Sequence, residues 1–470
     1  MLLIQNGYLL DPKSGKEGSF DILIRDNVIQ KIAPSISIDE PKDHSDLTII
    51  DAKDYMIAPG LVDVHVHFRD PGFTYKEDIF TGAKAAAKGG YTTVVLMANT
   101  KPAVDNPDTL RYVLERGNET DIHVHTCATI TKGLQGKELT DMDILQQEGA
   151  IGFTDDGIPL LDEEIVKAAM KKAKELNLPL SFHEENPEFI VNNGIHHGKA
   201  SEHFQIYGST RSAEIDLIGR DLSLAASIGA PVNIQHISTK EGVALVRQAK
   251  QDIMEHQEHS AFPNHQGFID LVDLDTAQHT ITGEAARSFH IHAEATPHHF
   301  SLTEDAAIQY GTLAKMNPPL RTEADRQAII QGLIDNTIDI IATDHAPHSA
   351  EEKSKPITEA PSGIIGLETA LALGITNLVL PGHLSYLQLL EKMTINPSAM
   401  YHLDCGYLAE GGPADLILFN DQEWKVEHFL SKSDNSPFKG QTLRGTIFCT
   451  ICNGNIIFKQ TEFMNRILSL

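Results

Sequence analysis

The chain has 470 residues, 41% of them hydrophobic and 22% charged, with a formal net charge of −27. That length exceeds one small domain and suits a barrel of about 250 residues or more beside a smaller companion. So acidic a chain is a poor fit to nucleic acid or an anionic membrane, and an anionic substrate would need a local positive site set against the global field.

Residues 1–58 alternate short strand-like runs with turns. The runs are Leu2–Ile4, Tyr8–Leu10, Phe20–Ile24, Val28–Ile32 and Ile49–Asp51, punctuated by Gly7, Asp11-Pro12, Asp26-Asn27 and Pro34. The opening Met1-Leu2-Leu3-Ile4-Gln5-Asn6-Gly7 has no basic region and breaks at Asn-Gly, so it reads as a first strand and turn rather than a signal peptide.

From residue 59 the rhythm changes. Eight apolar runs recur with helix-like segments between them: Gly60–His67, Thr92–Met97, Ile122–Cys127, Ile151–Phe153, Leu180–Phe182, Val232–Gln235, Ile291–Glu294 and Ile340–Ala342. Asp78–Lys88 and Glu163–Leu176 are helical candidates, the second with Ile165, Val166, Ala169, Met170 and Ala173 near helical spacing. Eight β–α units predict an α/β fold, a (β/α)8 TIM-like barrel over 59–404. The polar stretch at about 250–289, with His256, His259, His265 and His279, reads as an insertion whose histidines are solvated. From about 405 the strand-and-turn style returns in Ala414–Phe419, Thr446–Ile451 and Ile456–Phe458. The two ends, 1–58 and 405–470, are therefore expected to pair into one small β-sandwich domain. No run approaches 18 apolar residues, so no membrane span is expected.

The four cysteines, Cys127, Cys405, Cys449 and Cys452, are too few and scattered for a disulfide framework, which fits a reducing, cytoplasmic setting. Cys449 and Cys452 form a lone CxxC whose members would face opposite sides of a strand, and no metal or redox role is expected of them.

In a barrel the chemistry sits at the C-terminal ends of the strands. His65 and His67 end the first strand on one face, since residues two apart on a strand project together. Arg69 shares their parity just beyond, where it can grip an anion with two prongs. The fourth strand leads into Thr154-Asp155-Asp156-Gly157, the fifth ends in His183, the sixth in His236, and the eighth in Asp344-His345-Ala346-Pro347-His348. Four histidines and two carboxylates suit two divalent metals with one carboxylate between them. His123-Val124-His125 repeats the HxH pattern on the third strand, but it precedes the apolar end Cys127-Ala128 and reads as structural. A metal pair lowers the pKa of a water so that it attacks a polarised amide carbonyl, and a carboxylate carries the proton to the leaving nitrogen. Asp344 is the natural carrier. The residues alone thus support metal-dependent hydrolysis of a C–N bond in a small-molecule substrate.

Two longer stretches resemble the signatures of dihydroorotases, in the amidohydrolase superfamily. They are Asp63-Val64-His65-Val66-His67-Phe68-Arg69-Asp70-Pro71-Gly72 and Ala342-Thr343-Asp344-His345-Ala346-Pro347-His348, with Lys353 five residues on. Phe153–Gly157, Gln235–Lys240, Met316–Arg321 and Gly366–Thr369 resemble the long bacterial type I branch, and the similarity spans nearly the whole chain. The resemblance implies interconversion of N-carbamoyl-L-aspartate and (S)-dihydroorotate in pyrimidine (UMP) biosynthesis. It implies two zinc ions per subunit, held by His65, His67, Asp156, His183, His236 and Asp344, with Asp156 in the bridging place that a carboxylated lysine fills in related enzymes. Asp344 would be ligand and general acid/base together. Arg69 and Asn99 would hold the substrate carboxylate with His67 nearby. Asn317, His348, Ser362 and Gly363 would complete the pocket, and the loop Ala346–Gly363 would cover it. The branch often carries Phe-Gly or Pro-Gly where this chain has Ser362-Gly363. A homodimer and an association with aspartate transcarbamoylase stay open. Two other readings compete: a hydantoinase- or allantoinase-type cyclic amidohydrolase, which usually has a bridging lysine on the fourth strand, and a non-catalytic dihydroorotase-like partner of aspartate transcarbamoylase, which would have lost ligands.

Overall fold

The computed structural model describes residues 1–37, 47–255 and 290–469. The two ends of the chain meet in one nine-stranded sheet. The leading strands are β1 (Leu2–Asp11), β2 (Lys16–Arg25), β3 (Val28–Ala33), β4 (Thr48–Asp51) and β5 (Met56–Pro59). Eight further strands lie between these and the closing ones in the chain. The closing strands are β14 (Leu416–Lys425), β15 (Thr442–Cys452), β16 (Asn455–Lys459) and β17 (Ile467–Ser469). Along the sheet the order is β16-β15-β14-β5-β1-β2-β3, with β4 beside β1 and β17 beside β4. The seam between the chain's ends is the antiparallel pair β5–β14, from Met56↔Phe419 to Pro59↔Leu416. Leu9, Ile22, Ile50, Ile57, Leu416 and Phe448 are buried together in the core of this unit.

The turn expected at Asn6-Gly7 is instead a bulge inside one long strand. Asn6 takes a left-handed φ of 63° and its N–H donates to Asp21 Oδ1 at 2.9 Å, so the extra residue is absorbed and β1 continues.

The eight strands β6 (Leu61–Val66), β7 (Tyr91–Leu96), β8 (His123–Thr126), β9 (Phe153–Thr154), β10 (Leu180–Phe182), β11 (Val232–Ile234), β12 (Ile291–Ala295) and β13 (Ile340–Ile341) are parallel to their neighbours. They form two ladders, β6-β7-β8 and β13-β12-β11-β10-β9. Single parallel bridges, Ala128↔Phe153 at one edge and Val66↔His345 at the other, join the two ladders. The expected run Gly60–His67 starts one residue early. Gly60 is the step between the two units: its N–H donates to Asp415, and a Cβ there would collide with Thr92.

Helices fill the crossovers because their signals are local. Ile79–Lys88 is opened by Asp78 in a capping box with Thr81. Glu163–Leu176 is capped by Asp162, closes on left-handed Asn177, and buries Val166, Ala169, Met170 and Ala173. Lys250–Glu255, expected to open the insertion, instead completes the helix Lys240–Glu255. The buried Lys250 ammonium donates to Asp339 Oδ1 at 2.9 Å. The rest of that insertion, with its four histidines, lies outside the described residues. Among the described residues no helix is long and apolar enough to cross a membrane.

Candidate active site

Six side chains converge at the C-terminal ends of the parallel strands. On β6 every residue is buried, and His65 and His67 point the same way. Asp63 fixes the strand from behind: its Oδ1 accepts from the N–H of His65 at 3.1 Å and of Thr343 at 3.2 Å. Burial lifts the Asp63 carboxyl to about 7 against these hydrogen bonds. The His67 N–H donates to His345 O at 2.9 Å, so β6 and the segment after β13 are stitched on both sides.

After β9 the two adjacent aspartates separate in role. Asp155 turns outward and accepts from the N–H groups of Ile130 (2.8 Å) and Thr131 (3.1 Å). Asp156 turns inward, 3.4 Å from both His65 Nε2 and His67 Nε2. His183, after β10, places Nδ1 2.9 Å from Nε2 of His236, which follows β11, and 3.7 Å from Asp156. Asp344 Oδ1 lies 3.1 Å from His67 Nε2 and 3.5 Å from His65 Nε2. Two triads share His65: His65, Asp156 and His236, and His65, His67 and Asp344, the ligand atoms of each within 4.8 Å of one another. His123 is in neither triad; it sits at the start of β8, 3.0 Å from Asp415.

The backbone is strained where these side chains are presented. His236, Asp344 and Arg69 adopt left-handed φ values of 33°, 47° and 59°. Non-glycine residues there cost of order 1–3 kcal/mol each and cluster at functional sites.

The charges around Asp156 are arranged to keep it ionised. Burial alone would raise the Asp156 carboxyl, but His65, His183 and His67 hold it well below its ordinary value. Burial disfavours charge on His65, yet Asp156 and Asp344 raise its pKa well above normal. His183 is lifted to about 10, with Asp156 and Glu185 outweighing burial. Such a cage of imidazoles and carboxylates asks for cationic charge at its centre.

A divalent metal fits this donor set. His65 Nε2 is buried without a hydrogen-bond partner, while its Nδ1 lies 3.1 Å from Glu294 Oε2. One ring nitrogen is thus oriented by a carboxylate and the other left open, the pattern of a metal-ligating histidine. Neutral imidazoles with carboxylate oxygens suit zinc.

The other candidate residues line one side of this cluster. Arg69 donates through Nε to Pro347 O at 3.3 Å. Asn99 bridges two candidate ligands, its Oδ1 3.0 Å from His67 Nδ1 and its amide donating to Asp156 Oδ2 at 2.9 Å. Asn317 donates toward His183 Nε2 at 3.3 Å. Asn317 Oδ1, His348 Nε2 and Ser362 Oγ are all buried without a hydrogen-bond partner. Gly363, at φ 121°, has no room for a Cβ, which would sit 2.7 Å from Ala346 Cβ and 3.2 Å from His348 Nε2.

Sequence reading passes over five supporting residues. Glu294 ends an expected strand, where nothing local marks it as a partner of His65. Asp63 lies inside the first signature. Asn435 accepts from the His348 N–H at 3.0 Å and donates to Ala346 O and Gly363 O, both at 3.1 Å, so the C-terminal segment clips the loop 346–363 in place. Lys315 and Lys353 cross beneath that loop: Lys315 donates to Ile357 O and Ala360 O, Lys353 to Pro361 O. Besides Asp63, only Lys353 carries a signal, as part of the second signature.

Comparison with known proteins accords with this geometry. Residues 54–242 match the family described as dihydro-orotase-like. The chain is 50% identical over 459 residues to a dihydroorotase of Clostridioides difficile, covering 97% of this chain and all of that protein. It is 47% identical to a dihydroorotase of Clostridium acetobutylicum, covering 98% of this chain and all of that protein. Among solved structures, an L-hydantoinase (dihydropyrimidinase) from Arthrobacter aurescens superposes with a TM-score of 0.80 at 22% identity, over 97% of this chain and 96% of that one. A D-hydantoinase from Thermus sp. superposes with a TM-score of 0.77 at 20% identity, over 98% and 95%. At that identity the structural likeness speaks for the fold alone.

Proposed function

The chain belongs to the dihydroorotase family, and from that premise we propose that the pocket at the strand ends is where N-carbamoyl-L-aspartate and (S)-dihydroorotate are interconverted. The protein is a hydrolase of cyclic amides in pyrimidine biosynthesis. The observation that carries the assignment to this pocket is the double triad sharing His65, with Asp156 between His65, His67 and His183. The ladders β6–β8 and β9–β13, bridged at both edges, support a closed (β/α)8 barrel over 59–404. The nine-stranded sheet supports a companion β domain, a sandwich of 1–58 and 405–470.

His65, His67, Asp156, His183, His236 and Asp344 would hold two zinc ions. Bound there, they supply Lewis-acid polarisation and a water of lowered pKa. In the hydrolytic direction a water oxygen adds to the ring amide carbonyl carbon, and the bond from that carbon to the ring nitrogen breaks. Asp344 takes the proton of the attacking water on a carboxylate oxygen and returns it to the departing nitrogen; in the cyclising direction the same proton moves back. Arg69 holds the substrate carboxylate, supplying local positive charge in a strongly acidic chain. Asn99 orients His67 and Asp156 while facing the same carboxylate. Asn317, His348 and Ser362 turn their unpartnered atoms to the ring's polar edge. The backbone of Gly363 approaches closely because no side chain intervenes.

Every residue in this account comes from one chain, so it requires neither a homodimer nor a transcarbamoylase partner; a cytoplasmic setting suits the free thiols. The test is turnover of both substrates by the purified chain and by Asp344→Asn. The reading expects a fall of at least about 10²-fold in the variant with the fold intact. Unchanged turnover in Asp344→Asn would overturn it.

A further inference from the structure

On the opposite side of β8 from its C-terminal end, three chemically different ligands meet from distant parts of the chain. His123 opens β8, Asp415 directly precedes β14, and Cys452 ends β15. The His123 nitrogen, an Asp415 carboxylate oxygen and the Cys452 sulfur all lie within 4.8 Å of one another. His123 Nε2 is 3.0 Å from Asp415 Oδ2. The other oxygen, Asp415 Oδ1, accepts from the Asn453 N–H at 2.7 Å, and the Asp415 carbonyl accepts from Gly60 N–H at 3.0 Å. The carboxylate is therefore fixed in orientation before any ligand arrives, as outer hydrogen bonds fix ligands in metal sites.

We infer that His123, Asp415 and Cys452 form a second cation site, for a thiophilic divalent metal such as zinc, separate from the catalytic pocket. Imidazole, carboxylate and thiolate are three standard zinc donors, and three protein ligands with an open fourth position make a recognised site. The spacing suits it: donors around one tetrahedral ion must lie a few ångströms apart, close to the separations found here. Asp415 and Cys452 are buried, but the His123 side chain is 34% exposed, which gives an entry path and a place for a water ligand.

The contact set without metal is a chain of weaker bonds. The thiol has Thr92 O at 3.8 Å and the Asp415 carboxylate as its acceptors. Burial, with Asp415 beside it, raises the Cys452 pKa, so the sulfur is a thiol until a cation arrives. Asp415 in turn raises His123 and favours its charged form. On binding, the sulfur–metal bond forms as the sulfur–hydrogen bond breaks. The thiol proton, and any proton on His123 Nε2, leave to solvent past the exposed edge of that ring. No electron is transferred. The site joins β8 to the strands formed by the chain's C-terminal part, so an ion there clamps the two sheets and stabilises both by linkage.

The catalytic pocket contains no sulfur ligand, and this makes the test specific. The full-length enzyme is loaded with Co²⁺ and its near-ultraviolet absorption followed for a sulfur-to-cobalt charge-transfer band. The expected result is such a band in the wild type, abolished in Cys452→Ser and unaltered in Cys449→Ser. In His123→Gln, on the accessible side of the site, the cobalt titration is expected to weaken at least tenfold with the fold intact. Turnover of dihydroorotate is expected to be unchanged in His123→Gln and Cys452→Ser. No band in the cobalt-loaded wild type, a band that survives Cys452→Ser, or the same affinity in His123→Gln would each overturn the proposal.

Discussion

The buried imidazole of His65 places Nδ1 3.1 Å from Glu294 Oε2, at the end of β12, and leaves Nε2 facing Asp156 and Asp344. His65 belongs to both candidate ligand triads, so whatever fixes its ring fixes both. Glu294 also accepts from Asn233, which holds the carboxylate itself in place. Glu294→Ala is therefore expected to lower metal affinity about 10- to 100-fold while Asp344 and Arg69 stay where they are. Competition with a chelator of known strength measures it; an unchanged affinity would remove Glu294 from the site.

Arg69 offers a different kind of check. Its left-handed backbone and its bond to Pro347 O aim the guanidinium along the loop toward the pocket. If it grips the substrate carboxylate, Arg69→Ala loses a charge-assisted contact worth about 2–4 kcal/mol in kcat/KM. Arg69→Lys should restore little, because an ammonium cannot make the two-pronged contact. Near-normal kcat/KM in Arg69→Ala would refute the role.

The adjacent aspartates should behave oppositely. Asp156→Asn is expected to lose bound metal and turnover, with a melting temperature no lower than that of the metal-free wild type. Asp155→Asn loses an ionised acceptor for the Ile130 and Thr131 N–H groups, and burial has lifted its carboxyl to about 6. It should lower stability by about 1–3 kcal/mol while its metal content persists. Metal analysis beside thermal melts separates the two; metal loss in Asp155→Asn alone would exchange the assignments.

Much of this site could be read from the residues, because strand ends are local. His65, His67, His183, His236 and Asp344 each close an apolar run, and period two places the first pair on one face. The choice of Asp156 over Asp155 came from family resemblance; the turn alone offered both. What escaped reading was long-range. Glu294 looks like an ordinary residue of a buried strand, and only the closeness of β12 to β6 makes it a partner of His65. Asn435 sits in a stretch without periodicity, and only folding brings it to the loop 346–363. Asn6-Gly7 reads as a turn because the pair favours one; the N–H of Asn6 finds Asp21 instead, and the strand continues. Gly60 ends one sheet and begins another, a change of direction that an apolar run does not record.

Lys353 predicts a pH effect. Buried beneath the loop with Lys315 nearby, its ammonium is pushed down from 10.5 to about 7. The unfolded chain then binds more protons than the folded one between about pH 7 and 10.5, so stability rises with pH across that window, and the penalty is fully present below about pH 7. Lys353→Met removes this dependence. The stability of wild type relative to the variant should therefore rise through the window, by at most about 1.4 kcal/mol per pH unit. Urea unfolding of both proteins at several pH values measures the slope; a difference constant with pH would contradict the depressed value.

The most direct measurement is turnover of dihydroorotate and N-carbamoyl-L-aspartate by the purified chain, before chelation, after it, and after zinc is returned, with a hydantoin as the competing substrate. The account predicts turnover of both family substrates, loss on chelation with the fold retained, recovery with zinc, and little activity on the hydantoin. Full turnover by the chelated, metal-free protein, or zinc-restored activity confined to the hydantoin, would contradict it.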